Sequence, residues 1–516
     1  MDFRQASGRR PERINTDHPF SNFLFVDSRY RSNPVLRRIF SLARKLNYKS
    51  LLIEEMCESD CDLLAEENRA LSLRRPDFKK STVQRLSFFA SPHSSDPRRE
   101  DFLGYAVFKS DEFQSETSDH VYESVLRPFR RAKENNFVPC SRDYAVNNSL
   151  GSFGVNGVLY AQQNALTYVC AHVAMRTVLS AVLPGGDVTY EQINRVAGID
   201  HVANRVGRGA GANGENEGLN LRQIEAVLRS FGLLLPQALI NEPSLGHPFP
   251  DEYQKHLYGY IESGYPALVC FELSGTPSST ARERHLIPVI GHTFNEDAWM
   301  PDAQRIYFGA DFGYFPSEHW LSSYVIHDDN VGPYFCIPRH YLKQENFRAI
   351  YGIQSALTPL LPIQAETLGS LYVDWIRKNL PKIGKDWYDR FAAFGEHQSL
   401  VLRTTLIPKP DYLSHLRTIK SRQGGVFEPG LIAKLDAKLP AVMWMVEVSA
   451  PELFSCSRRK FGEVILSATT PLPPQIDLSL LLSARLPGIV IVKDGDQFPV
   501  ELSLFDAHSE LHTRCI

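Results

Sequence analysis

The chain has 516 residues, which is too many for one ordinary hydrophobic core, so two or three domains are expected. Hydrophobic residues make up 43% and charged residues 22%, a composition typical of a globular protein and unlike that of a disordered one. The 56 basic and 59 acidic residues give a formal net charge of -3. This balance argues against a nucleic-acid partner and against attraction to an anionic membrane.

The eight cysteines are scattered along the chain, which favours a reducing compartment over a disulfide framework. Cys57 and Cys61 are interpreted as structural, since no second Cys/His pair at zinc-site spacing follows them. The first residues lack the apolar core of a signal peptide, and no window reaches the roughly 18 apolar residues of a membrane span. We therefore expect a cytoplasmic protein, unless a dedicated secretion system exports it without a signal peptide.

Residues 1–150 are predicted to form an N-terminal α/β region of unknown role. Residues 22–27 and 50–55 are apolar enough for strands, and residues 35–46 have helical periodicity, which together indicate a βαβ unit. The unit has no glycine-rich phosphate loop, so a nucleotide site has no support there. Further strands are predicted at 101–109 and at 152–161, the second as a hairpin that turns at Asn156-Gly157.

A central domain is expected at residues 151–345, and its main feature is a cysteine at the start of an apolar helix. After Cys170, apolar residues recur at spacings of three and four up to Val182, and Pro184 then stops the helix. Unpaired backbone N–H groups at a helix N-terminus stabilise a thiolate, which makes such a cysteine more nucleophilic. Taken alone, the pattern favours a packed core cysteine over a reactive one.

Three more helices are predicted in the central domain. Capping boxes at Thr189 with Gln192 and at Asn220 with Gln223 begin two of them, and residues 252–263 form the third, which ends at Gly264. The glycine-rich run 207–218 is interpreted as a flexible loop, because no Gly-Lys-Ser/Thr closes it.

Four strands follow, at residues 266–273, 285–291, 305–310 and 323–327. The last runs into an acidic turn, Asp328-Asp329-Asn330-Val331-Gly332-Pro333. His285 thus begins one strand and Asp328 ends another, positions from which side chains project into a cleft at a sheet edge. Residues 346–516 are predicted to form an α+β region with a structural or specificity role, containing a helix at 364–380 and strands at 400–407, 441–449 and 488–493.

These residues supply the parts of a thiol catalyst. Cys170 would be the nucleophile, His285 the general base and acid, and Asp328 the group that fixes the imidazole tautomer. Gln163 would donate to a developing oxyanion together with the Cys170 backbone N–H. Other residues compete for two of these roles: His172 and His292 as the base, and Asp311, His327, Asp329 and Asn330 as the orienting group.

The central stretch, residues 155 to 340, resembles the papain-like cysteine peptidases and is most similar to the bacteriocin-processing, double-glycine-leader peptidase-like group. Three motifs carry the resemblance: Gln163 with Cys170-Ala171, the Gly264–Val269 strand leading to His285–Gly291, and the Asp328–Gly332 turn. The resemblance implies a Cys-His-Asp set on a helix and a small twisted antiparallel sheet, with Gln163 in the oxyanion hole. Gln163 is one residue farther from Cys170 than the commonest spacing in that family. Gln162 and Asn164 therefore stay possible oxyanion donors.

The predicted fold class is therefore α+β, with a papain-like central domain flanked by two α/β or α+β regions. The predicted function is that of a cysteine peptidase or isopeptidase acting on a peptide or protein substrate, without metal or organic cofactor. Two alternatives use the same residues: an acyltransferase or transglutaminase-like enzyme, and an inactive papain-like binding module in a toxin or defence system. The sequence does not indicate an oligomeric state.

Overall fold

The computed structural model describes residues 10–16, 20–57, 62–93, 96–128, 135–164, 170–198, 219–234, 239–240, 253–273, 283–294, 307–308, 313–342, 347–355, 357–379, 399–419, 427–474, 477–486, 489–494, 501–506 and 513–515. These residues form eleven α-helices: α1 (Asn22–Arg29), α2 (Pro34–Lys45), α3 (Asp62–Arg74), α4 (Cys170–Val182), α5 (Tyr190–Ala197), α6 (Leu221–Ser230), α7 (Tyr253–Glu262), α8 (Pro362–Asn379), α9 (Lys409–Thr418), α10 (Pro429–Lys438) and α11 (Pro451–Ser457).

The same residues form 26 strands. They are β1 (Glu12–Asn15), β2 (Ser50–Met56), β3 (Phe78–Phe89), β4 (Phe102–Phe113), β5 (Thr117–Leu126), β6 (Asn135–Phe137), β7 (Arg142–Asn148), β8 (Gly151–Gly157), β9 (Leu233–Leu234), β10 (Leu239–Ile240), β11 (Ala267–Leu273), β12 (Glu283–Phe294), β13 (Tyr307–Phe308), β14 (Gly313–Pro316), β15 (Leu321–Asp328), β16 (Gly332–Pro338), β17 (Phe347–Gly352), β18 (Gln354–Ser355), β19 (Ser399–Pro408), β20 (Val442–Ser449), β21 (Arg459–Lys460), β22 (Gly462–Ser467), β23 (Leu481–Leu486), β24 (Ile489–Asp494), β25 (Glu501–Asp506) and β26 (Thr513–Arg514).

The N-terminal part of the chain is an antiparallel sheet in the order β1-β2-β3-β4-β5, covered by α2. The predicted βαβ unit is wrong, because residues 22–27 belong to α1 and β2 lies antiparallel between β1 and β3. Ser21 caps α1 by accepting a hydrogen bond from the Leu24 N–H. The short run NFLFVD has no clear period, so the cap decided its structure.

The predicted hairpin at Asn156-Gly157 is also wrong. Strand β8 runs through both residues and pairs with β7, and the turn between the strands lies at Ser149 and Leu150. Gly157 is needed for a different reason, because a Cβ at this position would lie 2.4 Å from the backbone oxygen of Leu126 in the neighbouring sheet. The glycine therefore marks a close approach of two backbones rather than a turn.

The central part is an antiparallel sheet in the order β10-β17-β11-β12-β15-β16, with β6 paired to β12. Helix α4 packs on it, because its apolar stripe shares one buried cluster with β11 and β12. The capping boxes of α5 and α6 form as predicted. Gly264, with φ of +88°, follows α7 as predicted. The predicted loop 207–218 lies outside the described residues.

The C-terminal sheet has the order β13-β14-β19-β20-β22-β23-β24-β25. Alternate residues of β20 face opposite layers: Trp444 and Val446 pack with α8, whereas Met443 and Met445 pack with α9 and α10. The central and C-terminal sheets do not divide the chain at one point. Strand β14, which precedes the last central strands, pairs parallel with β19 of the C-terminal sheet, and the later strand β17 lies inside the central sheet. The molecule is thus a mixed α+β protein with several antiparallel sheets, which confirms the coarse fold prediction.

Within the described residues, no helix is long and apolar enough to cross a membrane.

Candidate functional site

The candidate site lies at one edge of the central sheet, where β12 begins and β15 ends. The two strands are antiparallel neighbours, with Val289 opposite Ile326, so the start of one lies beside the end of the other. His285 is the third residue of β12 and Asp328 is the last of β15. The two side chains, 43 residues apart in the sequence, therefore meet at this edge.

The imidazole of His285 faces two carboxylates. Its Nε2 atom lies 3.3 Å from Oδ2 of Asp328 and 3.3 Å from Oδ1 of Asp329. The exposed fractions of the three side chains are 12%, 15% and 6%. The group is thus mostly buried, but the imidazole and the first carboxylate keep some access to solvent.

Backbone groups of the turn hold the Asp328 carboxylate in place. Oδ1 accepts hydrogen bonds from the N–H groups of Asn330, at 2.8 Å, and Val331, at 3.0 Å. Burial alone would raise the pKa of Asp328, but the hydrogen bond and charge of His285 and these two N–H groups hold it below its ordinary value. Asp328 therefore stays ionised with one oxygen fixed by the turn and the other directed at the imidazole.

Asp329 is in a different electrostatic state. Burial raises the pKa of its carboxyl to about 6, with the positive charge of His285 opposing the rise and the negative charge of Asp328 adding to it. Its Oδ2 atom is buried and has no hydrogen-bond partner among the described residues. Distance alone does not separate the two candidates for the orienting role, but the two backbone hydrogen bonds distinguish Asp328.

The rival histidines serve elsewhere. His172 is buried, with Nε2 2.6 Å from Oδ1 of Asn194. His327 is buried as well, and its Nδ1 lies 3.0 Å from the backbone oxygen of Leu159, to which it donates. Burial lowers the pKa of His327 to about 3, so this ring stays neutral.

His292 lies farther along β12 and contacts a different carboxylate, with Nε2 2.5 Å from Oε2 of Glu262. Both side chains are fully buried. Asn330 donates through Nδ2 to Oδ1 of Asp329, at 3.3 Å, rather than to His285. Asp311, the remaining rival, lies outside the described residues.

Cys170 is the first residue of α4, as predicted, but its side chain lies outside the described part of the chain. Neighbouring residues show where the helix begins relative to the sheet. Ala171, which follows the cysteine, and Leu286, which follows His285, belong to the same buried cluster. The beginning of α4 thus packs against the face of β12 on which Leu286 lies.

The three side-chain amides before the helix, Gln162, Gln163 and Asn164, differ in their hydrogen-bond partners. Gln162 pairs with Val121 of β5: its Oε1 accepts from the Val121 N–H at 2.9 Å, and its own N–H donates to the Val121 oxygen at 2.9 Å. Asn164 donates through Nδ2 to Oε1 of Glu67, at 3.1 Å, and is buried. Gln163, half-buried between them, has no hydrogen bond to any described residue, so it is the amide left available as a donor.

Two anchors from the N-terminal part of the chain, one on α3 and one on β5, were not predicted from the sequence. Glu67 holds Asn164, as above, and Glu123 of β5 accepts a 2.7 Å hydrogen bond from Arg176 on α4, which also pairs with Asp187. One signal pointed to the second anchor. Arg176 is the only Lys, Arg, Asp or Glu between residues 162 and 183, so a helix buried by its apolar pattern needed a carboxylate partner for it.

The donor set around His285 also suits a metal ion. One imidazole nitrogen and one oxygen from each of Asp328 and Asp329 lie within 4.8 Å of one another. Imidazole and carboxylate are the usual nitrogen and oxygen ligands of divalent cations such as zinc. Among the described residues this is the one group of three such side chains that meets so closely.

No family model, curated protein or solved structure matches this chain.

Proposed function

We propose that the protein is a cysteine-dependent hydrolase of peptide-type bonds, with a papain-like arrangement of α4 on the central sheet. The observation that supports this most is the contact between His285 and Asp328, because the acid is fixed by the backbone and the pair lies on the sheet that carries the Cys170 helix. An oriented imidazole near a helix N-terminus is the environment that activates a thiol.

Each residue has one role in the proposed reaction. Because Nε2 of His285 faces the carboxylates, Nδ1 is the nitrogen that accepts the proton of the Cys170 thiol. The thiolate adds to the carbonyl carbon of the substrate, and the oxyanion accepts hydrogen bonds from Gln163 and the Cys170 N–H. The imidazolium returns the proton to the leaving amine, and a thioester forms.

Water completes the cycle. His285 removes a proton from a water molecule, which adds to the thioester carbon, and the collapse of this second intermediate releases a carboxylic acid and the thiolate. Asp328 keeps the ring oriented throughout and stabilises its charged form. An amine in place of water would give acyl transfer by the same steps, so product analysis with and without an added amine separates these two activities.

The first experiment measures the alkylation of Cys170 by iodoacetamide between about pH 5 and pH 9, with labelled sites identified by mass spectrometry. The wild type is compared with His285→Ala. A matched control is His340→Ala, which removes an exposed histidine that is not part of the proposed site. The exposed Cys336 serves as a reference thiol within the same molecule.

We expect Cys170 in the wild type and in His340→Ala to label well below the ordinary thiol pKa of about 8.5. In His285→Ala its labelling should shift to the pH range of Cys336. If Cys170 labels no faster than Cys336 in the wild type, or if His285→Ala has no effect, the catalytic assignment fails and an inactive binding module explains the sequence better.

A further inference from the structure

The carboxylates around His285 outnumber the groups that can balance them. A single nitrogen, Nε2, lies 3.3 Å from an oxygen of both Asp328 and Asp329. One N–H can point to only one of these oxygens, and charge-assisted hydrogen bonds are usually about 2.7–2.9 Å long. Both contacts are longer than this, so neither carboxylate forms a close hydrogen bond with the ring.

No Lys or Arg in the described part of the chain pairs with these two carboxylates to balance their charge. Neither Asp328 nor Asp329 forms an ion pair with a Lys or Arg among these residues. The Asp329 side chain is 6% exposed, and its Oδ2 is a buried atom without a hydrogen-bond partner in the same set of residues. A buried carboxylate oxygen without a partner is costly, so the arrangement favours a ligand that accepts oxygen lone pairs.

The two distances from the imidazole nitrogen match those between ligands of a tetrahedral metal ion. Zinc binds imidazole nitrogen and carboxylate oxygen at about 2.0–2.2 Å, which places neighbouring ligand atoms about 3.4 Å apart at tetrahedral angles. The two distances from Nε2 are 3.3 Å, and all three donor atoms lie within 4.8 Å. Three protein ligands would leave the fourth position to water or to a thiolate.

The backbone around the donors is already fixed. Oδ1 of Asp328 is held by two N–H groups of the turn, which leaves Oδ2 directed at the centre of the group. The hydroxyl of Tyr160 lies 3.2 Å from the backbone oxygen of Asp328 and 3.4 Å from that of Asp329, so its one hydrogen is shared between these two acceptors. Such surrounding hydrogen bonds orient metal ligands and reduce the ordering that binding requires.

We infer that His285, Asp328 and Asp329 form a binding site for one divalent cation, best matched by Zn²⁺. The binding claim depends only on these three side chains. Its consequence rests on the proposed function: a cation on Nε2 keeps the imidazole from becoming imidazolium, so the thiolate–imidazolium pair with Cys170 cannot form. Zinc is then a reversible inhibitor of the hydrolase.

The test titrates the full chain, freed of metal by EDTA and dialysis, with ZnCl₂ in a calorimeter. Asp329→Asn removes one ligand charge without changing the size of the side chain, and His285→Ala removes the nitrogen ligand. Asp436→Asn, at an exposed helical position, is the matched control. Cys170→Ser shows whether the thiol takes part. Circular dichroism establishes that each variant is folded.

We expect one equivalent of Zn²⁺ in the wild type, in Asp436→Asn and in Cys170→Ser, with affinity at least about 10-fold lower in Asp329→Asn and His285→Ala. Absence of stoichiometric binding, or equal affinity in Asp329→Asn, would overturn the site.

Alkylation of Cys170 with and without zinc separates the two hypotheses. If zinc binds as expected but Cys170 has ordinary reactivity throughout, the cation site stands and the hydrolase falls. Reactivity that depends on His285 in a chain that does not bind zinc gives the reverse result.

Discussion

Strand β12 carries two histidines seven residues apart, and each contacts a carboxylate in a different environment. His292 is fully buried against Glu262, whose other oxygen pairs with Arg403, so one carboxylate is balanced by a permanent cation. His285 is partly exposed and faces two carboxylates with no Lys or Arg paired to them among the described residues. A histidine–carboxylate contact is thus not in itself a functional site; access and charge balance separate the two cases.

The balanced pair continues into a larger buried arrangement. Arg403, Glu447, Glu463 and Arg485 lie opposite one another on the four adjacent strands β19, β20, β22 and β23, and Lys460 bridges the two glutamates. Their side chains are at most 7% exposed. The two glutamates are adjacent in this row, and each contacts one arginine and Lys460, which indicates a structural role in joining α7 and the C-terminal sheet.

The largest effect should come from removing Arg403, the cation that balances Glu262 beside His292. Arg403→Met removes the cation that the buried Glu262 and Glu447 share, so we expect it to lower the free energy of unfolding by about 3–5 kcal/mol. Urea unfolding followed by circular dichroism measures this loss. Arg417→Met, at an exposed position of α9, should change stability by less than about 0.5 kcal/mol. A loss below about 1 kcal/mol in Arg403→Met would remove the distinction between the two histidine environments.

At the unbalanced site the expected effect is on reactivity. Asp328→Asn keeps the shape of the turn but removes the charge that stabilises imidazolium, so alkylation of Cys170 at about pH 6 should slow by about 10–100-fold, equivalent to 1.4–2.7 kcal/mol. Asp329→Asn should slow it less, because its carboxylate lacks the two backbone hydrogen bonds that fix Asp328. Equal effects of the two variants would mean that both acids orient the ring.

A smaller effect should follow from removing a hydrogen bond that holds the segment 162–164, which carries the proposed oxyanion donor Gln163. Asn164→Ala removes the hydrogen bond to Glu67, so Gln163 loses one of its two fixed neighbours. Formation of an acyl-enzyme from an activated ester such as p-nitrophenyl acetate should slow by about 10-fold, while alkylation, which develops no oxyanion, should not change. Mass spectrometry follows both. Asn156→Ala, an exposed asparagine on β8, is the control, and parallel loss of both reactions in Asn164→Ala would indicate a general structural role.

The smallest effect is a difference in pH dependence. The pKa of Asp329 is raised to about 6, so its contribution to stability is present below the unfolded pKa of about 4 and is lost as the pH rises through 6. Asp329→Asn should therefore stabilise the protein at about pH 8 in EDTA and leave its stability unchanged at about pH 4.

Glu262 should behave in the opposite way. Its pairing with Arg403 and His292 outweighs burial and lowers the pKa to about 2, so its contribution is present above about pH 4.5 and lost as the pH falls. Thermal unfolding scanned over pH tests both signs. A stability profile of Asp329→Asn parallel to that of the wild type would show that the carboxyl is not perturbed.

Local sequence signals predicted much of the secondary structure. The stripe after Cys170 and the capping boxes at Thr189 and Asn220 depend only on residues of the same helix or its N-cap, and all three helices form. The sequence placed His285 at a strand start and Asp328 at a strand end, and in the structure the two strands are antiparallel neighbours, so these positions share an edge. The catalytic roles of the two residues stay a prediction.

Features set by distant residues could not be predicted. Glu262 and Arg403 are 141 residues apart, and Asn164 and Glu67 are 97 apart, so neither pairing has a local pattern. Gly157 lies in an Asn-Gly dipeptide that favours a turn, but the nearby Leu126 backbone determines its role. Whether Asp328 or Asp329 orients the imidazole depended on which carboxylate the turn amides reach, a detail of backbone geometry.

The parallel pairing of β14 with β19 has a consequence for synthesis of the chain on the ribosome. Strand β14 is made before β15 and β16, which complete the edge of the central sheet, but its partner β19 begins only at Ser399. The nascent protein therefore exposes one open strand of its C-terminal sheet while its central sheet is being completed. Fragments ending before Ser399 retain the pairing of β14 with β13 but leave the opposite edge of β14 without its partner, which makes them prone to aggregate.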